Sequence, residues 1–214
     1  MERNRIGAMR DRSPGEGPGI APTLGGVAHL VFLCTGNAAR SVMGGAVLAA
    51  LRPDVQVTTA GTHVIDGQPM SWRTRDALAA VGHASPSHRS QQVLASSLGD
   101  ADLVVGLAID HVAWIRRNHP DVAAKTGTLR RLVRDLPVGG VTSDGISALG
   151  LGAVELGGWE DVEDPAGHEI DVYKACAADI AHLVADLASR IPSDLADVVA
   201  HHSARAGFNR DAEI

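Results

Sequence analysis

Residues 28–41 read AHLVFLCTGNAARS and contain both the first structural element and the first chemical motif of the chain. The apolar, branched and aromatic residues 28–34 are typical of a strand that is buried on both faces. Apolar residues then recur at helical spacing from residue 41 until Pro53. The stretch therefore predicts a strand, a short loop and a helix, with Cys34 at the end of the strand.

The alternation of strand and helix patterns continues along the chain. Strands are predicted at 55–61, at 101–108 and at the start of 127–133, and helices at 74–82, 109–119 and 169–190. Strands that alternate with helices form right-handed crossovers and a parallel sheet. We therefore predict a doubly wound α/β fold with helices on both faces of the sheet and a ligand-binding loop after the first strand.

The chain has 214 residues, which is enough for one domain with a full hydrophobic core. Residues 1–26 mix Arg, Gly and Pro without apolar periodicity, so we expect a disordered N-terminal segment. The folded domain is predicted at 27–191 and a C-terminal tail at 192–214. Residues 137–158 are rich in glycine and predict a mobile loop or lid.

Composition excludes several classes of partner. The formal net charge of -6 argues against nucleic-acid binding, which requires an excess of Lys and Arg. The sequence has no apolar run long enough to span a bilayer and no secretory signal, so we expect a cytoplasmic protein without membrane contact. It has two cysteines, and its ten histidines show no metal-binding spacing, so we expect neither a metal nor a cofactor. The oligomeric state is not predicted.

Residues Cys34 to Ser41 form the pattern Cys-x5-Arg-Ser between the predicted strand and helix. Gly36 and Asn37 can adopt the left-handed angles that turn successive N–H groups inward, and the helix N-terminus adds the positive end of its dipole. Such a loop suits a tetrahedral oxyanion. We expect the phosphate-binding residues to be Thr35, Gly36, Asn37, Ala38, Ala39, Arg40 and Ser41.

The same loop makes Cys34 a candidate nucleophile, because donors that bind an anion also stabilise a thiolate. Arg40 can hold two phosphoryl oxygens with its planar guanidinium group. Ser41 can donate to the sulfur and ease its departure in a second step. Cys34 and Arg40 are therefore candidate catalytic residues.

Cleavage of a phosphate ester also needs a proton donor for the leaving group. The candidates Asp161, Glu163 and Asp164 lie together, well downstream of the loop. Asp164 precedes Pro165, so its backbone is biased towards an extended conformation before the last helix, and its acidic neighbours favour its protonated form. Asp164 is therefore the predicted third catalytic residue.

The Cys-x5-Arg-Ser loop after the first strand, followed downstream by Asp164 and Pro165, resembles the low-molecular-weight protein tyrosine phosphatase family, and its bacterial members most of all. The resemblance extends from about residue 27 to residue 190. Further similar segments are Thr59–Thr62, Ser87–Arg89 and Thr128–Arg130.

This resemblance implies a four-stranded parallel sheet and hydrolysis of a phosphotyrosine-type monoester through a phosphocysteine intermediate. It implies catalytic roles for Cys34, Arg40 and Asp164, while Asn37 and Ser41 shape the loop. The substrate would be a phosphorylated protein or a small aryl phosphate.

Three positions depart from the family pattern. Ala166 stands where members usually have Tyr, and Ile65 replaces an aromatic residue often seen after the second strand. Both differences reduce stacking on a phosphotyrosine ring. Ala39 stands where some relatives have a second loop cysteine that protects the nucleophile as a disulfide.

Two alternatives remain open at this point. An arsenate reductase has the same fold and loop, and a form that uses a low-molecular-weight thiol needs no cysteine beyond Cys34. A catalytically weak module that only binds phosphate is the other alternative. Cys176 lies in the predicted last helix, which argues against a cysteine cascade within the chain.

Overall fold

The structure, a computed structural model, describes residues 28–192. The predictions of a disordered segment at 1–26 and of a tail that continues to residue 214 concern residues outside this range. The domain boundaries at both ends therefore stay predictions.

Four parallel strands form the sheet in the order β2-β1-β3-β4. The strands are β1 (His29–Cys34), β2 (Gln56–Gly61), β3 (Leu103–Gly106) and β4 (Thr126–Thr128). Cys34 pairs with Gly61 of β2 at the carboxyl edge of the sheet, and Leu33 pairs with Gly106 of β3. The chain moves outward from β1 to β2 and then crosses to β3 on the other side. Cys34 thus lies where the direction of winding reverses, the usual ligand position in such sheets.

Seven α-helices connect and cover the strands of the described region. They are α1 (Arg40–Leu51), α2 (Trp72–Ala80), α3 (Ala95–Asp100), α4 (Ile109–Asn118), α5 (Leu129–Asp135), α6 (Ser143–Ala148) and α7 (Ile170–Ala188), with 3-10 turns at Pro120–Lys125 and Gly158–Glu160. The doubly wound, four-stranded parallel fold is therefore confirmed.

The residues of β1 alternate between two hydrophobic cores, as a strand buried on both faces requires. Leu30 and Phe32 belong to the larger core, which α1 and α7 cover. Val31 and Leu33 belong to the smaller core on the opposite face. The apolar run that predicted the strand thus supplies both layers of the domain.

Two glycines allow α1 to lie unusually close to the sheet. A Cβ atom at Gly45 would come within 2.3 Å of the Thr59 side chain, and one at Gly44 within 2.7 Å of the Phe32 ring. Glycine lowers the helix propensity at these two positions, but it allows the close packing of α1 on the sheet. This packing determines the position of α1 and of the loop before it.

The segment 137–158, predicted as a mobile loop or lid, is partly helical and anchored in the larger core. The segment contains α6, which is capped by Thr142: the Thr142 hydroxyl oxygen accepts a hydrogen bond from Gly145 N at 3.1 Å. Ile146 and Leu151 are buried in the larger core. The spacing of Ile146 and Leu151 follows neither a helical nor a strand period, so the glycine-rich sequence contains no signal that these two residues are buried. Helix α3 was also missed, because its six residues include only one buried side chain, Leu98.

Candidate active site

The candidate nucleophile lies at the junction of β1 and α1. Cys34 is the last residue of the strand and is 3 % exposed. Residues 35–39 form the loop, and Arg40 is the first residue of α1. Asn37 has a positive φ of 48°, whereas Gly36 does not, so only one of the two predicted left-handed positions is used. The strand, loop and helix follow the predicted order.

The Ser41 hydroxyl group contacts the sulfur, and its hydrogen-bond partners determine where its proton points. Its Oγ lies 3.0 Å from Cys34 Sγ and 3.0 Å from Asn37 Nδ2. Since an amide nitrogen only donates, the Ser41 hydroxyl accepts from Asn37 and its own hydrogen can point to the sulfur. This arrangement places a donor where a thiolate needs one.

Main-chain and side-chain groups from other parts of the chain stabilise the loop. Gln91 N donates to Asn37 Oδ1 at 3.0 Å, and His88 Nε2 lies 2.7 Å from the Asn37 carbonyl oxygen. Thr74 Oγ1 donates to the Ala38 carbonyl oxygen at 3.0 Å. These bonds fix the strained left-handed residue and orient the peptide groups around it.

His111 is a site residue that sequence reasoning missed. It lies in the first turn of α4, is 2 % exposed, and its Nε2 is 3.2 Å from Thr35 Oγ1. Burial, assisted by the charge of Arg40, lowers the pKa of His111 to about 3, so the imidazole is neutral at physiological pH. The position of His111 shortly after the end of β3 is the signal that the sequence offered. Its contact with Thr35 depends on tertiary structure and could not be read from the sequence.

Arg40 and Asp164 are brought together although they are far apart in sequence. Arg40 Nη2 donates to Asp164 Oδ2 at 2.5 Å, and Nη1 donates to the Val162 carbonyl oxygen at 3.2 Å. The Arg40 side chain is 7 % exposed and that of Asp164 is 47 % exposed. The structure therefore directs Arg40 towards the candidate acid and not towards bulk solvent.

The segment that carries Asp164 is attached to the end of β3 and the start of α4. Val162 N donates to the Leu107 carbonyl oxygen at 2.9 Å, and Asp161 Oδ1 accepts from Ile109 N at 2.7 Å. Asp161 thus stabilises the helix start with its charge, which leaves Asp164 as the carboxylate that contacts Arg40.

A buried ion pair between Glu160 and Arg131 stabilises the start of the same segment. Glu160 is fully buried and accepts hydrogen bonds from Arg131 Nη2 at 2.5 Å, Thr128 Oγ1 at 2.6 Å and Gly157 N at 2.9 Å. Burial opposes its charge, but the hydrogen bonds from Arg131 and Thr128 outweigh burial and keep the pKa of Glu160 below its ordinary value. Sequence reasoning missed this residue among the surrounding acids.

A cavity of about 310 Å³ opens between the loop and the Asp164 segment. It is lined by Thr35, Arg40, Ala108, Asp110, His111, Asp161, Val162, Glu163 and Asp164. Its wall contains four carboxylate side chains and the single guanidinium group of Arg40. The lining is therefore mostly acidic, and Thr35 and Arg40 are the residues of the Cys34–Ser41 segment that reach it.

Two positions that depart from the family pattern, and the second cysteine of the chain, have different surroundings. Ile65 is 77 % exposed, and Ala166 N donates to Asp164 Oδ1 at 3.1 Å. Cys176 Sγ contacts the Glu163 carbonyl oxygen at 3.5 Å, and burial raises the pKa of the Cys176 thiol to about 12. Cys176 is therefore a protonated, packed thiol at neutral pH.

The described residues contain no group of His, Cys, Asp and Glu side chains that could hold a metal ion. None of the helices in residues 28–192 is both long and apolar enough to cross a membrane.

Comparison with known proteins places this geometry in context. The family model described as "Low molecular weight phosphotyrosine protein phosphatase" matches residues 29–137. A protein-arginine-phosphatase of Geobacillus stearothermophilus is 28 % identical over 167 residues, which cover 78 % of this chain and 97 % of the relative. A probable low molecular weight protein-tyrosine-phosphatase of Ralstonia solanacearum is 32 % identical over 103 residues, or 48 % and 69 % of the two chains.

A solved structure agrees with these matches. The low molecular weight protein tyrosine phosphatase of T. tengcongensis superimposes with a TM-score of 0.60 at 27 % identity and covers 75 % of this chain and 97 % of its own. The fold and the matched families define a cysteine-dependent phosphatase. The chain belongs to the low molecular weight phosphotyrosine protein phosphatase family. The predicted resemblance and the phosphatase interpretation are thus confirmed, and neither arsenate reduction nor phosphate binding without turnover is favoured.

Proposed function

We propose that the protein hydrolyses phosphotyrosine-type monoesters in phosphorylated proteins, with Cys34 as nucleophile, Arg40 as phosphoryl ligand and Asp164 as acid and base. The observation that carries this proposal is the contact between Arg40, which closely follows Cys34 in the sequence, and Asp164, which lies 124 residues after Arg40. Cys34 Sγ is held by Ser41 at 3.0 Å on the oxyanion loop, while Arg40 from the same loop binds Asp164 at 2.5 Å.

In the first step, the Cys34 thiolate attacks phosphorus, the sulfur–phosphorus bond forms and the bond to the ester oxygen breaks. The Asp164 carboxyl group gives its proton to the departing oxygen. In the second step, Asp164 as carboxylate removes a proton from water, whose oxygen attacks phosphorus and releases the thiolate and inorganic phosphate. Ser41 donates to the sulfur in both the free and the departing thiolate.

The Arg40 guanidinium and the loop N–H groups would bind the equatorial oxygens, whose charge is greatest in the transition state. To do so, Arg40 must share or release its hydrogen bond with Asp164. Binding of the phosphoryl group therefore supplies Arg40 with a new anionic partner and frees the carboxyl group for proton transfer.

The acidic rim supports phosphoarginine as a second candidate substrate. Asp110, Asp161 and Glu163 line the cavity together with Asp164, and carboxylates suit a leaving guanidine that becomes a cation when protonated. The relative from Geobacillus stearothermophilus, which this chain covers almost completely, is named a protein-arginine-phosphatase. The exposed Ile65 and Ala166 offer little aromatic surface to a phosphotyrosine ring.

A turnover assay on one preparation tests both candidates. The substrates are p-nitrophenyl phosphate and peptides that contain phosphotyrosine, phosphoserine or phosphoarginine, with thiol-dependent arsenate reduction measured in parallel. We expect hydrolysis of the aryl ester and of phosphotyrosine, and little hydrolysis of phosphoserine. A clear preference for phosphoarginine would replace the first candidate by the second, and absence of all hydrolysis would refute the proposal.

The nucleophile is tested by alkylation. Iodoacetate should inactivate the protein by labelling Cys34, and inorganic phosphate should protect it. Cys176 should stay unlabelled until the protein is unfolded, because its thiol is buried and protonated. Labelling of Cys34 at the same rate with and without phosphate would contradict the proposed anion site.

A further inference from the structure

A second cavity of about 340 Å³ adjoins the first. It is lined by Thr35, Thr62, His63, Asp110, His111, Trp114 and Arg117. Thr35, Asp110 and His111 belong to both cavities, so they form the partition between them. The proposed catalytic steps use no residue that lies only in the second cavity.

One face of α4 forms the wall of this second cavity. Asp110, Trp114 and Arg117 are separated by four and three residues, the spacing at which helical side chains lie above one another. Asp110 is nearest to the helix start and to the catalytic cavity. Arg117 lies almost two turns further along, so the wall changes from acidic to basic as it leaves the catalytic cavity.

Trp114 is fixed in place before any ligand arrives. Its ring stands edge-on to His63 with a centroid distance of 6.3 Å, and it packs against His119 at 5.3 Å. A ring held by neighbours on two sides loses little conformational entropy when a ligand packs against it. Its partly exposed surface can therefore receive an aliphatic chain.

Arg117 is exposed and has no ion-pair or hydrogen-bond partner among residues 28–192. Other arginines of the same region are engaged: Arg116, its neighbour, donates to the Leu151 and Val154 carbonyl oxygens at 2.6 and 2.8 Å. Arg117 thus offers a guanidinium group that can pair with a carboxylate from outside the chain.

We propose that this second cavity is a subsite for a glutamate that lies within two residues of the phosphorylated residue in a protein substrate. Its methylene groups would pack on Trp114 and its carboxylate would pair with Arg117. Two extended residues span about 7 Å, which suffices to cross a partition one side chain thick. This inference rests on the proposed function, because it assumes that a phosphorylated polypeptide enters the first cavity.

The charged residues around the two cavities determine which charge the proposed subsite prefers. On the catalytic side the rim carries Asp161 and Glu163, which repel an acidic neighbour, so an acidic residue is accepted only on the side of Arg117. The preference should therefore depend on the position of the glutamate relative to the phosphorylated residue. It should also weaken as salt concentration rises, since the pair is exposed.

The test uses phosphotyrosine peptides that differ at one of the two positions on either side of the phosphorylated residue, with Glu or Lys at that position and Ala elsewhere. At one position we expect kcat/KM to be about fivefold higher for Glu than for Lys, as an exposed to half-buried ion pair allows. Each value is divided by kcat/KM for p-nitrophenyl phosphate, which is too short to reach the second cavity.

Arg117→Glu should abolish or reverse the preference, and Trp114→Ala should reduce it mainly through KM. Lys174→Glu is the matched control, because it makes the same change of net charge at an exposed position on a different helix, α7. This variant should keep the preference. A preference that is absent, or that persists in Arg117→Glu, overturns the subsite while p-nitrophenyl phosphate is still hydrolysed. Loss of hydrolysis of every substrate by the wild-type protein would instead refute the proposed function, and the subsite with it.

Discussion

Arg40 Nη2 lies 2.5 Å from Asp164 Oδ2, so the cation proposed to hold the phosphoryl group and the carboxyl group proposed to transfer the proton are each other's partners in the free protein. Arg40 is the first residue of α1, whereas Asp164 lies between the Gly158–Glu160 turn and α7. If the proposed roles hold, their contact couples binding of the phosphoryl group at Arg40 to release of the Asp164 carboxyl group.

Replacement of Asp164 by Asn separates these two functions. Turnover should fall by about 10²- to 10⁴-fold on alkyl or unactivated aryl esters, and less on p-nitrophenyl phosphate, whose leaving group needs less protonation. Inorganic phosphate should bind more tightly, because a carboxylate no longer competes for Arg40. Steady-state kinetics and the inhibition constant of phosphate measure both effects.

Glu163→Gln is the matched control, since it removes a neighbouring charge of the same cavity without touching Arg40. It should retain most of the turnover. An Asp164→Asn variant with wild-type kcat on a poor leaving group would show that another group is the acid.

Replacement of Cys34 by Ser should abolish turnover and keep oxyanion binding. A serine hydroxyl is far less acidic than a thiol, so the loop would hold the anion without a competent nucleophile. Binding of phosphate measured by calorimetry, beside the loss of p-nitrophenyl phosphate hydrolysis, is the appropriate readout. Cys176→Ser should stay active, and an active Cys34→Ser variant would contradict the assignment.

His111 should make the fold sensitive to acid. Its pKa is about 3 in the folded protein and near 6.5 when unfolded, so between these values the unfolded chain binds more protons. The free energy of unfolding should therefore decrease as pH falls from 6.5 towards 3, by about 1–2 kcal/mol from this group at pH 5. Urea unfolding at a series of pH values measures the slope.

In His111→Gln this component of the pH dependence should disappear, because glutamine does not titrate and can still contact Thr35. Identical slopes for the wild type and the variant would show that His111 does not titrate in this way.

The buried pair of Glu160 and Arg131 should be important for stability. Glu160→Ala leaves the buried Arg131 guanidinium group with only its longer ion pair to Asp135 at 3.6 Å, and we expect a loss of about 3 kcal/mol in the free energy of unfolding. Asp179→Ala breaks the more exposed pair with Arg130 and should cost about 0–1 kcal/mol. Chemical denaturation of both variants gives the comparison, and equal losses would argue against a special role for the buried pair.

Local sequence patterns predicted the parts of the fold that local forces determine. The apolar run of β1, the loop motif and the periodicity of α7 each gave an element close to its observed bounds. Helices α3 and α6 were not predicted, because each is short and is stabilised by one or two side chains that pack against distant elements. Their helical state follows from tertiary contact and not from propensity.

The residues of the candidate site also divide into those that a local motif predicts and those that depend on tertiary contacts. Cys34, Arg40 and Ser41 are close in sequence, so one motif was sufficient to single them out. The neutral state of His111 depends on its burial and on Arg40, and Glu160 depends on Arg131 and Thr128, all of them tens of residues away in sequence. No spacing rule in a single sequence connects such pairs.

The segment around Asp164 is held largely through its backbone. Val162 contributes its N–H to Leu107 and its carbonyl oxygen to Arg40, and the Glu163 carbonyl oxygen contacts Cys176. None of these bonds depends on the side chain at position 162 or 163. A substitution of the Glu163 side chain can consequently change the charge of the cavity wall while these backbone bonds, and with them the position of Asp164, are kept.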